Sequence, residues 1–393
     1  MFPPINRCFL FGLISITSTT ANSIELEGRL RHQDIYQQEL GDTDHHALLN
    51  RLLLREQWQL EDSTSLLAEG ITAYDSSYNN EPSSVERNSA DIHRLILSRD
   101  FDNTHIMLGR QVWSVDEQRQ LGKREGTNVR RRFDGMQLEH QFDETNKLSL
   151  FHGYSVNDKA HTFDDNTNSN LAISGVILQQ QQLMLHAMRY RDTRDDNNET
   201  RYALEGKYRY IQDRNETFFH IIHQLGNNQG KRISAWFCQL KLSHTFADFI
   251  FTGTTSYASS DDAGQDALEL KAFQPLFAKA PYYSEAGIFS TTNIKHVGID
   301  LQYQWSPKLT LHSSLKRLYR VNKQGNIYSP GHSLMIAADP TRGSRLADTL
   351  DFSIQYSLSQ NVSIELVSSY VSPNSQFNLN ATTFFESMLH YHY

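Results

Sequence analysis

Hydrophobic and polar residues alternate along most of this chain, and the alternation persists to its last residue. Between Phe384 and Tyr393, Phe385, Leu389, Tyr391 and Tyr393 share one parity, interrupted by Ser387, while Glu386, His390 and His392 take the other. Successive side chains of a strand point to opposite faces, so this segment is a strand with one apolar and one polar face. A terminal aromatic suits the closing strand of a membrane barrel, where it would sit in the interfacial girdle. From these residues alone, an edge strand of a soluble sandwich is the competing reading.

The same period recurs upstream. Val297, Ile299, Leu301, Tyr303 and Trp305 oppose His296, Asp300, Gln302 and Gln304, and Tyr202, Leu204, Tyr208 and Tyr210 oppose Glu205, Lys207 and Arg209. Residues 92–99 and 218–225 are ambiguous by face. Alternation predicts strands over 24–36, 46–61, 64–74, 89–99, 104–113, 131–142, 147–157, 170–179, 182–191, 200–211, 216–225, 231–244, 248–258, 294–305, 308–320, 347–358, 361–371 and 382–393. That is about 18 strands, mostly of the length a tilted strand needs to cross a bilayer. The connections alternate long and short around the chain, with short ones such as 62–63, 306–307 and 359–360 and long ones such as 114–130, 259–293 and 321–346. The pattern predicts an all-β fold: a transmembrane antiparallel up-and-down barrel with short periplasmic turns and long extracellular loops.

Composition agrees without adding a second domain. The mean hydropathy is negative and no segment reads as a membrane helix; a barrel can span regardless, because its backbone groups pair between strands. Arg7, the short apolar run 8–16 and Thr19-Thr20-Ala21 read as a secretory signal over residues 1–21,. Residues 22–393 would then form one barrel, with Cys238 as its only cysteine and no internal disulfide,. No plug domain is expected ahead of Ser23, which argues against a gated active transporter.

The formal net charge is -8, yet several bases fall on polar strand faces: Arg29, Arg31, Arg51, Arg55, Lys207, Arg209, Lys241, Lys316 and Arg320. Inward acids accompany them, among them Glu25, Glu27, Glu139, Glu205, Asp300, Asp351 and Glu365. Two readings stay open here: an ordinary water-filled lumen of paired charges, or a basic track that lowers the entry barrier for anions. Residues 110–134 hold Arg110, Arg119, Lys123, Arg124, Arg130, Arg131 and Arg132 in one hairpin, with Asp134 at its end. A guanidinium fork suits a carboxylate ligand. The same run could instead hold lipopolysaccharide phosphates at the cell surface.

Gly109-Arg110-Gln111, Arg119-Gln120-Leu121-Gly122, Asn128 and Arg131-Arg132-Phe133-Asp134-Gly135 resemble the signature hairpin of the alginate-export porin family. A weaker match lies at Ala272-Phe273, Phe277, Tyr282-Tyr283 and Asn293-Ile294. The resemblance implies an 18-stranded outer-membrane barrel whose basic constriction passes polyuronate chains, with substrate contacts at Arg110, Arg119, Arg131, Arg132 and Asp134. Ser114-Val115-Asp116-Glu117 stands where the family usually has a glycine-containing aromatic turn. The expected function is passive passage of anionic solutes, alginate or other uronate-containing saccharides first, with a general or neutral-sugar porin as the alternative. Lys123, Arg124 and Arg130 join the expected substrate-binding set.

Other chemistry is weaker. The 17 histidines are scattered without zinc-ligand spacing, and the Asp164-Asp165, Asp195-Asp196 and Asp261-Asp262 clusters read as solvated loop acids rather than calcium sites,. A hydrolase would need a nucleophile beside a histidine, as in His312 and Ser314, but no oxyanion element accompanies them. No enzyme activity, cofactor, metal or nucleic-acid partner is expected. The expected partners are outer-membrane lipid and lipopolysaccharide, an anionic oligosaccharide or small anion, and the barrel assembly machinery through the C-terminal strand.

Overall fold

The computed structural model describes residues 24–36, 45–76, 83–194, 198–262, 268–279 and 281–393; the expected signal segment lies outside them. The wall begins with β1 (Glu25–Tyr36), β2 (His45–Glu61), β3 (Thr64–Asp75), β4 (Asn88–Phe101), β5 (Thr104–Gln111), β6 (Phe133–Gln141) and β7 (Asn146–Asn157). It continues through β8 (Asn166–Gln180), β9 (Leu183–Asp192), β10 (Glu199–Gln212), β11 (Asn215–Asn228), β12 (Lys231–Phe246) and β13 (Phe249–Ala258). Short strands β14 (Glu269–Leu270), β17 (Ile327–Tyr328) and β18 (Leu334–Ile336) belong to loops, and β15 (Ile294–Ser306), β16 (Leu309–Arg320), β19 (Arg345–Ser357), β20 (Val362–Pro373) and β21 (Thr382–His392) complete the wall. Setting aside the three loop strands leaves 18 wall strands, each antiparallel to its neighbours. β21 pairs with β1 from Glu27↔His392 to Tyr36↔Thr383, which closes the cylinder. No helix among the described residues is long and apolar enough to cross a membrane.

All eighteen predicted wall strands are present, with shifted ends. β6 starts at Phe133, so Arg131 and Arg132 belong to the preceding loop, and β8 starts at Asn166. The alternation of connection length has one exception. At the long-loop end, β11 and β12 are joined only by Gln229 and Gly230, whose φ of 51° and 83° give the tight hairpin turn that needs two left-handed residues,.

Parity sorts the wall as alternation requires. Leu52, Leu97, Leu204, Ile299, Leu350 and Leu389 are exposed on the outside, whereas Arg29, Arg31, Arg51, Lys207 and Asp351 are buried on the inside. The two ambiguous segments have separate causes. In β4 the register slips opposite Glu69 and Gly70, so the inward set changes parity along the strand,. In β11, Phe218 and Ile222 point inward because the lumen there is packed rather than wet.

That packing comes from two loops folded into the barrel. Residues 112–132 and 259–293 bring Trp113, Val115, Leu121, Phe273 and Phe277 against Phe133, Phe151, Ile173, Ala203, Ile222 and Phe237 of the wall, forming an internal apolar core. A second core joins Tyr283 and Phe289 to Ile327, Ile336, Leu346, Val371 and Phe377 nearer the long-loop end. More of the aromatics are exposed than buried among the described residues, and those inside clamp the inserted loops.

Two outcomes are expected. Leu26 and Tyr393 exchange both backbone hydrogen bonds at 2.9 Å, so deleting Tyr393 removes the last rung of the closure and its girdle aromatic. The deletion should lower the yield of heat-modifiable protein in cells, with a strand-dominated circular dichroism spectrum for whatever assembles. An epitope inserted at Gly331, where added atoms meet open space, should bind antibody on intact cells, and one at Pro307 should not. The reverse pattern would invert the barrel.

Candidate functional site

The inserted loop 112–132 is fixed at both ends by buried charge. At one end Arg29 donates to the carbonyls of Glu125 at 2.7 Å and Thr127 at 2.6 Å and to Asn128 Oδ1 at 3.1 Å. Arg31 donates to the Gly126 carbonyl and pairs with Glu86 and Glu386. Arg51 reaches Glu27 at 2.6 Å and Glu125 at 2.8 Å. Arg130 returns from the loop to the same two acids at 2.8 and 2.6 Å. At the far end Glu117 pairs with Lys241 of β12 at 2.8 Å, so the loop crosses the lumen from β1 and β2 to β12. Burial alone would raise the Glu125 carboxyl. The hydrogen bonds and charges of Arg130 and Arg51 outweigh it and hold the group well below the usual carboxylate range. Its contribution to loop stability is then complete above the ordinary carboxylate range and is lost progressively as pH falls from that range toward the depressed value.

The second loop inserts beside the first. Leu121 bridges Phe277, and the guanidinium of Arg119 lies 3.5 Å from the ring centre of Tyr282. Further along, Ser284 donates to Asp351 at 3.0 Å and the Glu285 amide donates to the same carboxylate at 2.9 Å, tying this loop to β19. Between the loops and the wall is a polar recess of about 350 Å³ lined by Arg119, Lys241, Lys316, Tyr282, His296 and His312, with Glu216 and Asp300.

The structure separates the hairpin residues that the sequence grouped as substrate-binding. Arg110 and Asp134 do not line the pore. They carry the parity of Leu108 and Met136, on the outward side of the wall, where Arg110 Nε and Nη2 grip Asp134 at 2.8 and 3.1 Å. Arg132 is wholly buried and donates to Asp158, Asp165 and the Ile92 carbonyl. Arg124 is taken by Asp158 and the Val129 carbonyl, and Arg130 by Glu125 and Glu27. Arg131 lies 4.8 Å over Phe277, and burial followed by the nearby Arg124 pulls its pKa down to about 9. Lys123 is half-buried, 3.9 Å from Glu125. Arg119 alone among these residues lines the recess, and its Nε and Nη1 are buried without a hydrogen-bond partner among the described residues.

The rest of the motif is cement. Gly109 sits at φ 122°, and a Cβ there would lie 2.0 Å from the Leu95 carbonyl oxygen, which excludes every other residue. Gly135 and Gly153 form a slot for Trp113, whose ring would be 2.9 and 2.7 Å from their Cβ atoms. Trp113 stacks on Phe133 at 5.1 Å and donates to Gln111 at 3.2 Å. The motif's glycines, Gln111, Phe133 and the Arg110–Asp134 pair therefore build the root of the inserted loop. Lys241 and Lys316 were legible as inward bases, but their proximity to Arg119 depends on how both loops fold back, which no periodicity reports.

The alginate export family model matches residues 23–377. The chain belongs to the alginate export family. Solved structures of the same fold include Pseudomonas aeruginosa OpdQ, at TM-score 0.67 and 11% identity over 95% of this chain and 99% of that one. The outer membrane protein OpdK of the same organism gives 0.65 and 10% over 95% and 98%. Acinetobacter baumannii OccAB2 gives 0.64 and 13% over 95% and 98%. No curated protein matches the chain. By fold the chain is a closed antiparallel 18-strand barrel like these proteins.

The second inserted loop carries one shifted carboxyl. Enclosure by the lumen, opposed by Lys279 and reinforced by the negative charge of Asp351, raises the Glu285 carboxyl above its ordinary value. A raised carboxylate loses its charge earlier as pH falls. Anion preference should therefore rise as pH is lowered from neutral toward 5, measured as reversal potential across a planar bilayer. Glu285→Gln should show the higher preference already at neutral pH and a flatter pH response.

Proposed function

We propose that this porin passes anionic solutes passively and that alginate or other uronate-containing oligosaccharides are its foremost substrates. Export through a signal segment at residues 1–21 is part of the same reading. The observation that carries it is Arg119: a guanidinium held over Tyr282 with two buried, unpartnered nitrogens and no paired acid among the described residues, at the lining of a recess that also contains Lys241 and Lys316. Lys241 is balanced by Glu117, and Lys316 lies 3.5 Å from Asp300 and 4.0 Å from Asp351. Arg119 lines the recess with no acid paired to it among the described residues, so its charge is uncompensated there; Nε and Nη1 are closed off in this arrangement, and a carboxylate would meet the planar fork after a shift of the side chain,. An exposed pair of this kind is worth little, but in a narrow and partly dry lumen a contact reaches on the order of 1 kcal/mol or more. The Tyr282 ring beside it offers a flat surface for a sugar ring.

A second reading has its own support. Most of the hairpin's arginines are neutralised by acids of the chain, which is what a general diffusion porin with a self-paired lumen would show.

Single-channel recording with and without oligouronates separates the two. Arg119→Gln should lower anion preference and weaken oligouronate block about fivefold or more, the loss of one such contact. Arg110→Gln, which breaks a pair on the outer side, should leave both unchanged. Equal behaviour of the wild type and Arg119→Gln, with block by neutral and acidic oligosaccharides alike, would favour the general porin.

A further inference from the structure

On the outward face of β15, β16 and β19, close to the long-loop end, two arginines share one acid and a lysine lies beside them. Arg317 grips Asp348 through Nε at 2.8 Å and Nη2 at 3.0 Å. Arg345 reaches the same carboxylate at 2.6 Å, because the register shift between Leu318 and Tyr319 brings Arg345 opposite Tyr319,. Lys295 pairs in register with Tyr319, two residues from Arg317, making it a diagonal neighbour on the same face,. It has no hydrogen-bond or ion-pair partner among the described residues. Two arginines share one carboxylate and a lysine adds its own charge, so the patch keeps a net positive charge on a lipid-facing wall.

Its height is equally specific. Val297, Leu315 and Leu350, one pleat nearer the membrane centre on the same three strands, are exposed and apolar. The charges therefore begin where the apolar band ends. Arg189 and Arg191 on β9 have the outward parity of Leu185 and likewise meet no acid among the described residues. The opposite rim shows aromatics at this level of the wall: Tyr210, Phe246, Trp305 and Tyr356 are exposed there.

We propose that Lys295, Arg317 and Arg345 form a docking site for the phosphorylated headgroup of an outer-leaflet glycolipid, the lipid A portion of lipopolysaccharide. Phosphate oxygens satisfy the charge that Asp348 leaves over, and the acyl chains lie along Val297, Leu315 and Leu350. Each basic residue at a headgroup contributes about 1 kcal/mol, roughly a fivefold change in affinity. The site is outside the barrel and separate from the Arg119 recess.

The test titrates detergent-refolded protein with bisphosphorylated lipid A, dephosphorylated lipid A and inorganic phosphate, reading the shift of the heat-modification midpoint. Bisphosphorylated lipid A should raise the midpoint, dephosphorylated lipid A should do so far less, and inorganic phosphate not at all. Lys295→Gln, which breaks no pair within the chain, should weaken the lipid effect about fivefold. Arg317→Gln/Arg345→Gln in addition should abolish it. Conductance and oligouronate block should stay as in the wild type, so a failed substrate assignment leaves this result standing, and the reverse. Equal stabilisation of wild type and Lys295→Gln, equal effect of the dephosphorylated lipid, or a matching effect of inorganic phosphate would each overturn the proposal.

Discussion

Three arginines on adjacent strands, Arg29, Arg31 and Arg51, are almost fully removed from water inside the barrel. Buried guanidinium groups are costly unless hydrogen-bonded and paired, and removing one partner from a buried pair typically costs about 3–5 kcal/mol. The wall supplies only part of what they need, through Glu27 and Glu386. The remainder comes from Glu86 of the β3–β4 loop and, for the most part, from the Glu125 and Asn128 side chains and the carbonyls of residues 125–128. The loop therefore has to enter the lumen for the wall to be electrostatically complete. Wall and loop are one folding unit, and the pore is what remains after that requirement is met.

The other half of the loop answers to a different force. Trp113, Val115 and Leu121 bury apolar surface against the inward faces of β6 to β12, which have given up polar residues at Phe151, Ile173, Met188, Ala203 and Phe237. Burial at this scale is not directional. Direction comes from the glycine slot under Trp113 and from Arg132, whose contacts to Asp158 and Asp165 orient the return to β6. The second loop then leans on the first through Leu121 with Phe277 and Arg119 with Tyr282. Narrowing of the lumen is thus hierarchical, with the Glu125 cluster first and Tyr282 last.

The wall was legible in the sequence because a membrane allows few backbone solutions and the period of two makes that solution visible. It lost definition where the rule changed: at the β4 register shift, and along β11, where Phe218 and Ile222 face a dry lumen. The candidate site was legible only in part. The basic hairpin and the Tyr282 segment stand out as unusual for loops, but linear spacing does not show that Arg110 meets Asp134 on the outward side, or that Arg124 and Arg132 share Asp158. Those pairings are set by strand register and by a loop return, both contacts between residues distant in the chain.

The charge pattern leads to a more general point about this barrel. In a chain of net charge -8, an arginine-rich stretch is first of all a set of partners for the acids around it. Arg130 between Glu125 and Glu27, and Arg132 between Asp158 and Asp165, are of this kind. The cations free to act on a solute or a lipid are those that the chain leaves without an acid. Inside the lumen Arg119 is such a cation at the edge of the recess, and on the outer wall Lys295 is one, as are Arg189 and Arg191. None is the most basic part of the sequence; each is a place where pairing stops.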